Sequence, residues 1–282
     1  MPDAALGRCE RHIVDRLIEE RAPNLSASWI WPALRPALYT LLNYREARDV
    51  ADAIAPLAGA EALERVSRRL ALKVEARGVA QVPEQGRCIV VANHPTGIAD
   101  GIALFDALRP RRPDLCFFAN ADAHRVCPGF EENLVPVVWP PEKRTIEASK
   151  RTLRMATAAL ADQRAMVVFP AGGVARFQKG RVRDLPWEDT PFTLARKHGA
   201  PVVPCHLAGP FPWLFHLFDR LSKELRDVAL FHELLNKRGG RYAVTVGPPI
   251  AADHWPDDAE AVARLKTYVE RTLPDDPDAP FA

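Results

Sequence analysis

Residues 91–101 read VANHPTGIADG and follow directly on the apolar run Cys88-Ile89-Val90-Val91. A neutral imidazole takes a proton from a hydroxyl when a carboxylate fixes its tautomer and stabilises the imidazolium that forms. His94, at the end of a predicted strand, and Asp100, at the start of a predicted helix, are candidates for such a pair. Pro95 and Gly97 shape the turn between them. The same residues also suit a plainer arrangement, with Asp100 capping the helix and His94 lying in a turn.

A second stretch strengthens the chemical reading. Phe169-Pro170-Ala171-Gly172-Gly173 puts small residues where backbone can approach a ligand, and Arg176, Lys179, Arg181 and Arg183 follow. Glycine-rich backbone beside cations suits a phosphate-bearing ligand. The stretch GGVARFQKG lacks the Walker A pattern, and a solvated basic hairpin is the competing reading. His206 lies just past a third strand. The other histidines, His12, His124, His198, His216, His232 and His254, lie on polar or helical stretches or near the ends of the chain. Without an H-E-x-x-H spacing, no metal is expected.

These loops need a scaffold that brings them together. Residues 1–75 read as helical, with Ile13, Val14, Leu17 and Ile18, and then Leu57, Leu63, Val66 and Leu70, at helical spacing. From about residue 72, short apolar runs alternate with helices. Strands are predicted at Cys88–Ala92, Leu115–Ala119, Leu134–Trp139, Ala165–Phe169, Val202–Cys205 and Tyr242–Val246. Helices are predicted at Asp100–Leu108, Thr145–Asp162, Pro191–His198 and Asp258–Thr272. This alternation implies an α/β fold: a largely parallel central sheet flanked by helices, with an N-terminal helical segment. Ligands in such sheets bind beyond the carboxyl ends of the strands. The chain divides into a helical segment at 1–74, an α/β domain at 75–252 and a C-terminal helix and tail at 253–282.

The 282 residues are 48% hydrophobic and 26% charged, as in ordinary globular proteins. A net charge of +2 is too small to suggest nucleic acid as a partner. Five widely spaced cysteines, Cys9, Cys88, Cys116, Cys127 and Cys205, read as buried thiols in a reducing compartment. No signal peptide and no spanning helix is predicted, so any membrane contact is expected to be peripheral.

In order and spacing the blocks resemble the glycerolipid acyltransferases, the 1-acylglycerol-3-phosphate (lysophospholipid) acyltransferase superfamily, over roughly residues 75–250. Its first block, N-H-x-x-x-x-D, is matched by Asn93-His94 and Asp100, and its second by LVPVVWPPEKR, ending at Arg144. F-P-E-G-T-R-S is matched by FPAGGVAR at 169–176, and the apolar block around V-P by APVVPCHLAG at 200–209. H-P-x-G-x-x-D-G is similar to the haemolysin-like and ornithine-lipid branch. Two features depart from the family: five residues rather than four separate His94 from Asp100, and Ala171 stands where the family has glutamate.

The resemblance implies direct acyl transfer from acyl-CoA or acyl carrier protein to a lyso-lipid hydroxyl. His94 is then general base and Asp100 its orienting acid. Asn93, Thr96, Gly97, Arg144, Gly172, Gly173, Arg176 and Lys179 bind substrate, without a metal or a resident cofactor. It also implies a cytoplasmic protein on the inner membrane surface. Two aromatic stretches could dock there, residues 26–44 (Trp29, Trp31, Leu34, Leu38, Tyr39) and residues 209–227 (Phe211, Trp213, Leu214, Phe215, Leu217, Phe218). Either could instead be core. Two rival readings stay open. One is a lipid or thioester hydrolase, although no G-x-S-x-G elbow is present. The other is a non-catalytic lipid-binding protein on the same fold.

Overall fold

A computed structural model describes residues 11–138, 145–178, 180–255 and 260–281. Five helices come first: α1 (Ile13–Arg21), α2 (Pro23–Ser26), α3 (Trp31–Leu41), α4 (Tyr44–Ile54) and α5 (Gly59–Leu70). Then follow β1 (Lys73–Arg77), β2 (Cys88–Ala92), α6 (Ile98–Leu108), β3 (Cys116–Asn120), α7 (Asp122–Val126), β4 (Leu134–Val137) and α8 (Ile146–Ala161). Next are β5 (Ala165–Val168), a hairpin of β6 (Arg176–Gln178) and β7 (Arg181–Arg183), α9 (Thr190–His198) and β8 (Val202–Ala208). The chain closes with α10 (Trp213–Leu221), α11 (Lys223–Leu235), β9 (Arg241–Val246) and α12 (Ala261–Thr267), which runs into a π-helical turn at Tyr268–Thr272.

Among the described residues, one sheet has the order β1-β9-β8-β2-β5-β3-β4. From β8 to β4 all neighbours run parallel; β9 runs antiparallel to β8, and β1 parallel to β9. The sheet is therefore largely parallel, as the strand–helix alternation implied. At its centre, β2 shows why its sequence is apolar without a break. Cys88, Val90 and Ala92 enter one core with α5 and α6 residues such as Leu63, Leu70 and Leu104. Ile89 and Val91 enter the other with Leu160, Phe192 and Leu265 of α8, α9 and α12. Both faces of a covered parallel strand need apolar residues. Each aliphatic side chain fully buried there stabilises the fold by about 1.5–3 kcal/mol.

Several boundaries differ from the sequence reading. α6 begins at Ile98, not Asp100, because Gly97 and not the aspartate occupies the cap position. The strand expected at Leu134–Trp139 ends at Val137, and Trp139 lies outside the described residues. Of the helix expected at Asp258–Thr272, α12 covers only Ala261–Thr267 before the π-turn. The domain boundary expected after residue 74 falls inside β1, whose residues pair with β9. Nothing in the apolar pattern marked β1, since only Val74 among its residues is even partly buried. The β6–β7 hairpin and α7 were likewise too short and polar to read.

The aromatic stretches are divided between core and surface. Trp31, Leu38 and Leu42 pack with Leu214, Phe218 and Val228 in a third cluster joining the N-terminal helices to α10 and α11. Trp29, by contrast, is 91% exposed. On α10 the inner face is Leu214, Phe215 and Phe218, while Trp213, Leu217 and Leu221 form an exposed stripe at four-residue spacing. Cys88, Cys116, Cys127 and Cys205 are free and buried, and Cys9 lies outside the described residues. No described helix is long and apolar enough to cross a membrane.

Candidate active site

β5, β2 and β8 are adjacent and parallel, so the three loops singled out in the sequence leave the sheet at one edge. Hydrogen bonds tie them together. The Asn93 amide donates to the Leu207 carbonyl at 2.8 Å, and the Leu207 N–H donates to Asn93 Oδ1 at 2.7 Å, joining the first loop to β8. The Ala175 N–H donates to the His94 carbonyl at 2.8 Å, joining it to the loop after β5. The His94 N–H donates to Asp184 Oδ1 at 3.0 Å.

His94 and Asp100 do meet. His94 Nδ1 lies 2.8 Å from Asp100 Oδ2, and the imidazole side chain retains 12% exposure over a carboxylate with none. Since an ionised carboxylate only accepts, Nδ1 carries the proton and Nε2 keeps its lone pair for a substrate. The ring stacks on Phe169 with centroids 4.1 Å apart and planes 18° from parallel. Phe169 therefore fixes one face of the imidazole; its place in the FPAGG block gave no hint of that contact.

The extra residue between them is absorbed at Gly97. Its backbone has φ 102° and ψ −149°, a region open essentially only to glycine. As the third residue of α6, Asp100 reaches back over that turn. Oδ2 accepts from the N–H groups of Thr96 and Gly97 at 2.9 and 3.1 Å as well as from His94. Oδ1 accepts from the Thr96 hydroxyl at 2.5 Å. Thr96 has then donated its only hydroxyl proton, so its 2.8 Å contact with Tyr242 must run from the tyrosine O–H to Thr96. Burial and the Asp100 charge push the Tyr242 phenol well above its ordinary value, so it stays a donor. Capping and orienting were rival readings of Asp100; in the fold one carboxylate does both.

The remaining expected substrate contacts separate. Asn93 and Thr96 are buried, with side-chain groups bonded to protein. The Gly97 N–H is taken by Asp100. Gly172 has φ 63° and donates its N–H to the Phe169 carbonyl, and Gly173 is half-buried beside it. Arg176 begins β6. It donates to the Val174 carbonyl at 2.8 Å, lies over the Phe215 ring at 4.9 Å and faces Asp219 at 3.7 Å. Burial and the neighbouring Arg226 lower its pKa, so this cation is short of solvation and suited to an anionic group. Arg144 and Lys179 lie outside the described residues. Ala171, at the glutamate position of the family block, is buried in the apolar cluster with Trp187.

Asp184, Tyr242 and Gly209 were missed. Tyr242 was visible only as a strand residue, and Asp184 only as the acid ending a basic run. Gly209 closes the APVVPCHLAG block. A Cβ there would run into the Tyr242 ring and would come within 2.9 Å of Thr96 Cγ2.

With this geometry in place, comparison with known proteins is specific. The acyltransferase family model matches residues 73–208. Lyso-glycine lipid O-acyltransferase of Phocaeicola vulgatus is 29% identical over 198 residues, 68% of this chain and 69% of that protein. Lyso-glycine lipid O-acyltransferase of Bacteroides thetaiotaomicron is 28% identical over 218 residues, 75% of this chain and 78% of its own. The crystal structure of the 1-acyl-sn-glycerophosphate (LPA) acyltransferase PlsC from Thermotoga maritima shares the fold. The TM-score is 0.50 at 16% identity, over 92% of this chain and 97% of that one.

Proposed function

We propose that the chain is a lipid O-acyltransferase of the glycerolipid acyltransferase superfamily, a reading supported by the family match and by both relatives, and that it acylates the hydroxyl of a lyso-lipid from an acyl thioester, with His94 as general base. The observation that carries this is the 2.8 Å His94–Asp100 pair at the carboxyl end of β2, with Nε2 directed away from the carboxylate. Nε2 takes the acceptor hydroxyl proton as that oxygen attacks the thioester carbonyl. The C–S bond then breaks, and the imidazolium returns the proton to the departing thiolate. Asp100 stabilises the imidazolium between the two steps. Acyl-CoA or acyl carrier protein supplies the thioester, and no resident cofactor is required.

Both curated relatives act on a lyso-glycine lipid, and an acceptor of that kind, a lyso-lipid with an amino-acid head group, is the substrate proposed for this chain. Arg176 is the described cation proposed to hold the head-group anion, and Arg144 and Lys179 are proposed as further substrate-binding residues. Backbone around Gly172 and Gly173 supports the reacting carbonyl. The acceptor resides in a bilayer. The exposed Trp213–Leu217–Leu221 stripe with Phe211, Phe177 and Arg220 is accordingly proposed as a peripheral membrane contact.

The test is to incubate purified protein with palmitoyl-CoA or palmitoyl carrier protein, with lyso-glycine lipid or lysophosphatidic acid as acceptor. Diacylated product should form with the amino-acid lipid and disappear in a folded His94→Ala variant, a loss of at least a hundredfold. Free palmitate released without regard to acceptor would show a hydrolase. Vesicle binding without turnover on any donor would show a lipid-binding protein.

A further inference from the structure

Asp184 follows β7 and is 7% exposed. Oδ1 accepts from the His94 main-chain N–H and Oδ2 from the Trp187 indole N–H, both at 3.0 Å. Its own N–H donates to Glu270 Oε1 at 3.1 Å, and Lys266 bonds both Glu270 oxygens at 2.8 Å. Glu270 belongs to the π-turn after α12, a rare geometry often found beside functional sites. The preceding residue, Val269, accepts from His206 Nδ1 of β8 at 2.9 Å. Two consecutive residues of the π-turn therefore brace the strand and the segment that flank His94.

A buried carboxylate with two neutral N–H partners is a costly way to make a structural link. A neutral acceptor would satisfy the same donors without carrying a charge out of water. What only the carboxylate provides is negative charge. We propose that Asp184 is a positioning residue for the general base: it clamps the main chain of His94 and places a second negative charge beside its imidazole. Asp100 fixes the ring through Nδ1, and Asp184 fixes the residue through its amide. Together the two carboxylates favour the imidazolium that forms as the acceptor hydroxyl is deprotonated. Burial pushes Asp184 up to about 6, opposed by its bonds to Trp187 and His94. The charged or titratable groups around it are His94 and Glu270, with Lys266 and His206 reached through the π-turn.

The inference rests on the reading of His94 as base, and the test separates the two. Asp184→Asn should lower kcat about tenfold or more with KM within twofold. A structural role alone would show as lost stability or a raised KM with kcat kept. A kcat within twofold of wild type overturns the proposal. If Asp184→Asn does not fold, the wild-type protein decides. The His94 amide and Trp187 indole N–H resonances should titrate together near pH 6, and a His94 amide that does not follow the indole overturns the proposal. Full activity in His94→Ala would sink the base assignment and leave the NMR result standing. An inactive His94→Ala beside a fully active Asp184→Asn would sink only the role of Asp184.

Discussion

The chemistry rests on how few atoms are left free around His94. Asp100 accepts four hydrogen bonds, three of them from the two residues after Pro95, so it has no freedom to turn away from Nδ1. Asp100→Asn keeps the shape but removes the charge and turns a donor toward groups that donate. Its kcat should fall by at least a hundredfold, with about 1–3 kcal/mol of stability lost to the mismatched buried bonds. A kcat within threefold of wild type would exclude Asp100 as the orienting acid. Thr96 is the next link, passing the Tyr242 hydroxyl on to Asp100. Thr96→Val leaves the buried tyrosine O–H and Asp100 Oδ1 short of a partner. It should cost about 1–3 kcal/mol of stability and lower kcat by about tenfold, as measured by denaturant unfolding and turnover. Thr96→Ser, which keeps the hydroxyl, should restore both.

Three parallel strands make the site by ending together, and the loops between them are locked by backbone contacts that tolerate little volume. At the end of β8, Gly209 lies against the Tyr242 ring and Thr96. The ring is buried and cannot swing away, so Gly209→Ala should push Tyr242 and Thr96 apart. It should destabilise the protein by about 1–3 kcal/mol and cut activity several-fold. Wild-type melting and turnover in this variant would show that the two side chains are not needed in register. α10 works on its outer surface. Leu214, Phe215 and Phe218 seat it in the core, while Trp213, Leu217 and Leu221 face out. Replacing the three outward residues with serine should leave the fold intact and weaken co-sedimentation with anionic vesicles at least tenfold. Undiminished vesicle binding would move the membrane contact elsewhere, the exposed Trp29 in the turn before α3 being the next surface to test.

Across the whole molecule, acid should be the weak side. His124, His198, His206, His216 and His232 are each held below the ordinary imidazole value, chiefly by burial. Below about pH 6.5 the unfolded chain takes up protons that the folded chain resists, so stability falls as the pH drops. Asp106 and Asp184, both raised by burial, act in the opposite sense. Asp184, pushed up to about 6, binds a proton that the unfolded chain has already released, and its contribution declines as the pH rises from about 4 to 6. Five histidines against two aspartates give a melting temperature several degrees lower at pH 5 than at pH 7. A melting curve that is flat or rises on acidification would contradict this balance. The sequence by itself determined the α/β scaffold, because a strand covered on both faces must be apolar along its length, as in Cys88–Ala92. It also marked His94, Asp100 and the glycine-rich loop after β5, because turns beside chemistry need particular residue types. Tertiary structure alone decided that five intervening residues still bring Asp100 to His94, through the φ of Gly97. It alone recruited Phe169, Tyr242 and Asp184, whose partners lie dozens of residues away. Local residue patterns report which face of an element is buried, and carry no record of which distant side chain meets it there.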